Sequence, residues 1–134
     1  MTDTIEVGAE LTERHDIDKD RTIGFMGEEC RVYSTPALLY DTEIACRNLL
    51  MKFIDSDQDS VGTHVELNHT GPTLLGMWVE ITAKIVSAKG PAVNFEVTAR
   101  DALEQVATCQ HTRYVVNVES TKKRLRGKLD KFNA

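Results

Sequence analysis

Three side chains of the kinds that move protons or attack carbonyls stand out by where they fall: Glu43, His69 and Thr35. From Pro36 to Ile54 apolar residues recur with helical spacing, with Leu39, Cys46, Leu50 and Phe53 on one stripe, and Glu43 lies within that stripe. A carboxylate facing apolar neighbours is disfavoured when ionised unless it is paired or hydrogen-bonded, a condition that tunes an acid for proton transfer. A glutamate at the edge of the stripe, its stem snorkelling to water, is the alternative. His69 ends a strand in which Val65 and Leu67 share its face while His64, Glu66 and Asn68 take the other. It reads either as a core histidine satisfied by a carbonyl or as an imidazole brought to a cleft shared with Glu43. His64 and His69 fall on opposite faces, so a shared metal is not expected.

Thr35 precedes the helix and reads as its cap or as a catalytic hydroxyl. The eight residues from Thr35 to Glu43 span roughly 12 Å of helix, so a direct bond between them is not expected; cooperation requires the chain to fold back or a second subunit to supply one group. Gly62-Thr63 opens the His69 strand, as a bulge or as a place where a ligand approaches the backbone. Arg113 alternates with His111 and Cys109 in the last strand and is either a solvated ladder charge or a ligand-facing cation. Met77 and Trp78 read as packing residues.

The elements that must position these groups follow from the same pattern. A weak strand over residues 9–17 precedes an irregular segment containing Gly24 and Gly27. Ser34 or Thr35 then caps a helix with Pro36 in its first turn. After the polar loop at residues 55–60, four strands are predicted, with turn chemistry at Thr70-Gly71-Pro72, Lys89-Gly90-Pro91 and Asp101-Ala102. Short connections imply antiparallel neighbours, and the expected class is α+β, a sheet wrapped around one long helix. The chain carries neither a P-loop nor a dinucleotide-binding fingerprint.

Its 134 residues suit a single domain, residues 1–134, ending in a basic segment at 120–134. A net charge of −5 argues against nucleic acid as a partner, although Lys122, Lys123, Arg124, Arg126, Lys128 and Lys131 crowd that last segment, as a solvated helix or an attraction for phosphates. No apolar run approaches the ~18 residues of a membrane helix and no signal peptide is expected, so a cytoplasmic location is the default. Three widely spaced cysteines suggest neither a disulfide framework nor a metal site. A curved sheet with an open edge would pair with a second copy, so a homodimer is expected, open to a higher assembly of dimers.

Taken together, Thr35, Glu43-Ile44-Ala45-Cys46, Gly62-Thr63, His69-Thr70 and Arg113 make the chain resemble the fluoroacetyl-CoA thioesterase family, whose fold is the hotdog. The resemblance spans most of the chain. It implies hydrolysis of an acyl-CoA thioester, with Thr35, Glu43 and His69 catalytic, Gly62 and Arg113 binding substrate, and no metal or cofactor, since CoA is part of the substrate. Thioester cleavage needs a nucleophile or activated water, a proton acceptor and donors for the developing oxyanion. In the family's founding member an aromatic-rich lid ahead of the threonine gates the fluorinated acyl group. Here that stretch runs from Phe25 to Tyr33 without the gate, and the glycine near that lid's partner helix is also missing, with Pro36 directly after Thr35. A short or medium acyl-CoA is therefore the expected substrate. An enoyl-CoA hydratase or dehydratase on the same fold, or a non-catalytic acyl-CoA or lipid-binding hotdog protein, is the alternative.

Overall fold

The computed structural model describes residues 4–134. Strand β1 (Glu10–Asp16) leads into two short strands, β2 (Thr22–Ile23) and β3 (Val32–Tyr33), and then the central helix α1 (Thr35–Leu50). Four long strands follow, β4 (Gln58–His69), β5 (Trp78–Lys89), β6 (Ala92–Arg100) and β7 (Gln105–Asn117), and helix α2 (Val118–Phe132) closes the chain. The main sheet has the order β1-β5-β6-β7-β4, antiparallel throughout, while β2 and β3 pair with each other and Val32 of β3 bridges Leu74.

Alternation decides which sheet face meets α1. Val79, Ile81, Ala83 and Ile85 of β5 and Val93, Phe95, Val97 and Ala99 of β6 are all buried, as are Leu38, Ala45, Cys46, Leu49 and Leu50 of the helix. The buried helical face centres on Leu38, Thr42, Ala45 and Leu49, so Leu39 and Glu43 lie at its margin. Glu43 is thus not inside the apolar stripe, because one residue is a 100° step and Thr42 holds the centre. Its side chain is 38% exposed.

Other boundaries also shift. The helix ends at Leu50, short of Ile54, because the chain tightens into three-residue turns: Lys52 N–H donates to Leu49 and Phe53 N–H to Leu50. Phe53 and Ile54 still pack on the core, which explains why the apolar pattern continues past the helix. The polar residues Gln58, Asp59 and Ser60 belong to β4, where they pair with Asn117, Val116 and Val115. Residues 73–77 are not strand: Gly76 turns there with φ of +91°.

Ser34 caps α1, accepting from Ala37 N–H at 3.2 Å. That relieves Thr35 of the capping role. Strand β4 lies at the sheet edge and exposes Val61 and Val65. Helix α2 buries none of its residues and exposes Leu125, Leu129 and Phe132 beside its basic side chains.

Candidate active site

Thr35 Oγ1 lies 2.9 Å from His69 Nδ1, a contact across 34 residues of sequence. Two elements create it: the α1 N-terminus carries the hydroxyl and the end of β4 carries the imidazole. Tyr33 couples them, since its N–H donates to the Thr73 carbonyl at 2.8 Å and its buried ring meets the His69 ring edge-on, centroids 6.3 Å apart. Burial lowers the His69 pKa below the ordinary 6.5, opposed in part by the Gly71 backbone, so the ring is neutral at pH 7.

The Tyr33 hydroxyl is itself anchored. It donates to Asp41 Oδ2 at 2.6 Å, and Asp41 also accepts from Arg21 Nε at 2.9 Å. Burial, then the bond to Asp41, raises the phenol pKa, so it remains a donor at any working pH. Tyr33→Phe leaves Asp41 bonded to Arg21 and forfeits one buried charge-assisted bond, a cost of about 2 kcal/mol. A melting temperature lower by about 7 °C is the expected result in thermal denaturation; an unchanged one would show that the bond adds nothing.

Glu43 sits in a second cluster. Its Oε2 is 3.5 Å from Arg113 Nη1 and 3.9 Å from His111 Nε2. Arg113 is not a solvated ladder charge: its side chain is 7% exposed, with Nε donating to Ser60 Oγ at 2.7 Å and Nη2 to the Ser60 carbonyl at 2.9 Å. Burial lowers its pKa, with Glu43 the largest opposing charge. The guanidinium therefore faces Ser60, His111 and Glu43, all within the protomer.

Gly62 completes this cluster at a bulge. It pairs with Arg113 while His64 pairs with Thr112, leaving Thr63 as the extra residue. A Cβ on Gly62 would fall 2.6 Å from Glu43 Oε2, 3.0 Å from His111 Cε1 and 3.4 Å from Arg113 Nη1. Glycine is what lets the carboxylate lie against the strand. The carboxylate is thus next to a cation and backbone, not the apolar neighbours expected from the stripe.

All five sequence-chosen residues gather near α1 and β4, but as two groups, Thr35–His69 and Glu43–Gly62–Arg113. Among the described residues no hydrogen bond or ion pair joins the groups within one protomer. His111 was missed as a member of the site, although its inward position beside Arg113 in the alternating pattern of β7 was a usable signal. The buried thiols are poor nucleophiles: burial pushes Cys109 up to about 11 and Cys46 higher still. The described residues contain no cluster of three or more histidine, cysteine or carboxylate side chains suited to a metal.

The sequence model of the fluoroacetyl-CoA-specific thioesterase family matches residues 17–119. The chain belongs to that family. The fluoroacetyl-CoA thioesterase of Streptantibioticus cattleyicolor is 24% identical, over 96% of this chain and 97% of that protein. A thioesterase superfamily protein of Thermus thermophilus superposes with a TM-score of 0.87 at 22% identity, covering 96% of each chain. A hot-dog-like protein from Thermanaerovibrio acidaminovorans gives 0.86 at 23% identity, covering 95% of each. The solved fluoroacetyl-CoA thioesterase gives 0.84 at 24% identity, covering 92% of this chain and 97% of that one. The fold is accordingly a hotdog, in which α1 is the helix and the five-stranded sheet its wrapping.

Proposed function

We propose that this family member hydrolyses a short or medium acyl-CoA to the free acid and CoA. Thr35, Glu43 and His69 form the catalytic set, and Gly62 and Arg113 shape the substrate-binding side. The observation that carries this reading is the Thr35–His69 contact, a hydroxyl held against a neutral imidazole whose Nδ1 can accept its proton. His69 then acts as general base toward Thr35, or toward a water beside it, and returns the proton to the departing CoA thiolate. Glu43 orients the attacking oxygen, and Arg113 fixes Glu43 from beneath.

The two halves of the set meet if the protein is a homodimer joined along β4. Antiparallel pairing of β4 with its copy would turn the His69 end of one strand toward the Gly62 end of the other. Support comes from the exposed valines on the β4 edge and from the separation of Glu43 from His69 within one protomer.

Fluoroacetyl specificity is not part of the proposal. Phe25 is 88% exposed, so this segment's only phenylalanine stands in solvent. A panel of acetyl- to octanoyl-CoA, with fluoroacetyl-CoA included, assayed by thiol release, tests reaction class and acyl preference together. Thiol release from the shorter members is expected, without a preference for the fluorinated one. Consumption of crotonyl-CoA without thiol release would point to hydration, and thermal stabilisation by CoA esters without turnover to a binding protein.

Acidification is expected to act on rate and stability alike. kcat/KM should fall on an acid limb centred below pH 6.5, as His69 gains the proton that disables it. For stability, burial lowers the folded-state pKa of both His69 and His111, so the unfolded chain binds more protons in this window. Their contribution is complete above 6.5 and is lost as pH falls through the lowered values; a melting temperature that rose on acidification from pH 7 to 5 would contradict this sign.

A further inference from the structure

His111 is 2% exposed, and its two ring nitrogens have different partners. Nδ1 lies 2.7 Å from the His64 carbonyl, which can only accept, so Nδ1 carries the proton. Nε2 lies 3.1 Å from Arg113 Nη1, which can only donate, so Nε2 presents its lone pair. The tautomer is thereby fixed from both sides.

We propose that His111 is a positioning residue for Glu43: its Nε2 lone pair anchors Arg113, and Arg113 in turn holds the Glu43 carboxylate. The inference rests on the reading of Glu43 as catalytic. Arg113 Nε and Nη2 are held by Ser60, which leaves Nη1 as the nitrogen shared between His111 and Glu43. A proton on Nε2 converts an acceptor into a donor that faces the guanidinium. The Arg113–His111 bond must then break, and Glu43 Oε2, 3.9 Å away, becomes the acceptor for the new N–H. Protonation of His111 thus removes one of the three anchors of the guanidinium, the one at Nη1, and draws the Glu43 carboxylate from Arg113 toward the ring.

The charged and titratable groups facing the ring are Arg113 from its own strand, Glu43 from α1 and His64 from β4, while Phe95 of β6 lies over it at 6.3 Å between centroids. Burial is the largest influence and keeps the ring neutral at pH 7; the His64 carbonyl opposes it and the Arg113 charge adds to it. Two histidines, His69 and His111, must therefore both be neutral for full activity.

The test compares His111→Gln, which keeps an acceptor for Arg113 but cannot titrate, with His111→Phe, which removes the acceptor. With the best acyl-CoA of the panel, log kcat/KM of the wild type should fall with a slope above one across the range where His111 gains its proton, and that of His111→Gln with a slope of about one throughout. His111→Gln should lose about threefold in kcat and His111→Phe about tenfold, with KM within about twofold for both. A slope above one persisting in His111→Gln, or His111→Phe as active as His111→Gln, would overturn the proposal. A second readout needs no turnover: the Arg113 Nε–H resonance should shift with pH in the wild type and stay fixed in His111→Gln. A resonance insensitive to pH in the wild type would also overturn it. Failure of every acyl-CoA to release thiol would instead defeat the thioesterase reading and leave this readout standing.

Discussion

Glu43→Ala and His69→Ala should each lower kcat for thiol release by roughly 10²–10⁴-fold, and an equimolar mixture of the two, unfolded and refolded together, should regain about a quarter of wild-type activity. The recovery would follow from the proposed homodimer, in which each site is shared between subunits. Random pairing makes half of the dimers mixed, and each mixed dimer holds one site with both wild-type residues and one lacking both. Native Glu43 and His69 then meet across the β4 edge, although neither parent dimer contains a working site. Recovery on mixing cannot come from either parent alone, so a mixture no more active than its parents would place the whole site within one subunit. Analytical ultracentrifugation of the same samples checks that dimers have formed.

Gly62→Ala should lower kcat by about 10- to 100-fold with a melting temperature within a few degrees of wild type. The added methyl would stand 2.6 Å from Glu43 Oε2, closer than real contacts allow, and the atom free to yield is the carboxylate oxygen itself. Folding tolerates this because a half-exposed side-chain end can swing into water. On the proposed mechanism catalysis would not, because the displaced atom is the one that must be aimed. A variant with normal kcat would mean that the position of the carboxylate beside the bulge is irrelevant to turnover.

The pattern of strands and turns was legible in the sequence because most of these elements have one buried face and alternate cleanly. Such alternation is plain in β6, where Val93, Phe95, Val97 and Ala99 are buried. The short β2–β3 pair was not legible, since two-residue strands carry no period, nor was the start of β4, whose Gln58, Asp59 and Ser60 have loop composition. At the site, residue types and spacing left two readings open for each of Thr35, Glu43, Gly62, His69 and Arg113, and it was the resemblance to the family that singled them out as a set. Their partners were not recoverable. Glu43 was read against apolar neighbours because the sequence shows only its own helix, whereas the charge that holds it comes from Arg113, on β7. His111 was passed over for a similar reason: a lone inward histidine gains meaning only once His64 and Arg113 stand on either side of it.

The assignment of the cap to Ser34 bears on how broad the enzyme's acyl tolerance is. In the first turn of α1, Pro36 has no N–H, that of Ala37 is bonded to the Ser34 hydroxyl oxygen, and that of Leu38 to the Ser34 carbonyl. In the proposed site the helix end beside Thr35 would therefore meet an acyl oxygen mainly as a positive field, with no row of directed donors from Pro36, Ala37 and Leu38. A field fixes the sign of the charge it stabilises more firmly than the angle of the bond that bears it. On the proposed reading, acyl groups that enter at somewhat different tilts would be stabilised to a similar degree, as a hydrolase serving several chain lengths requires.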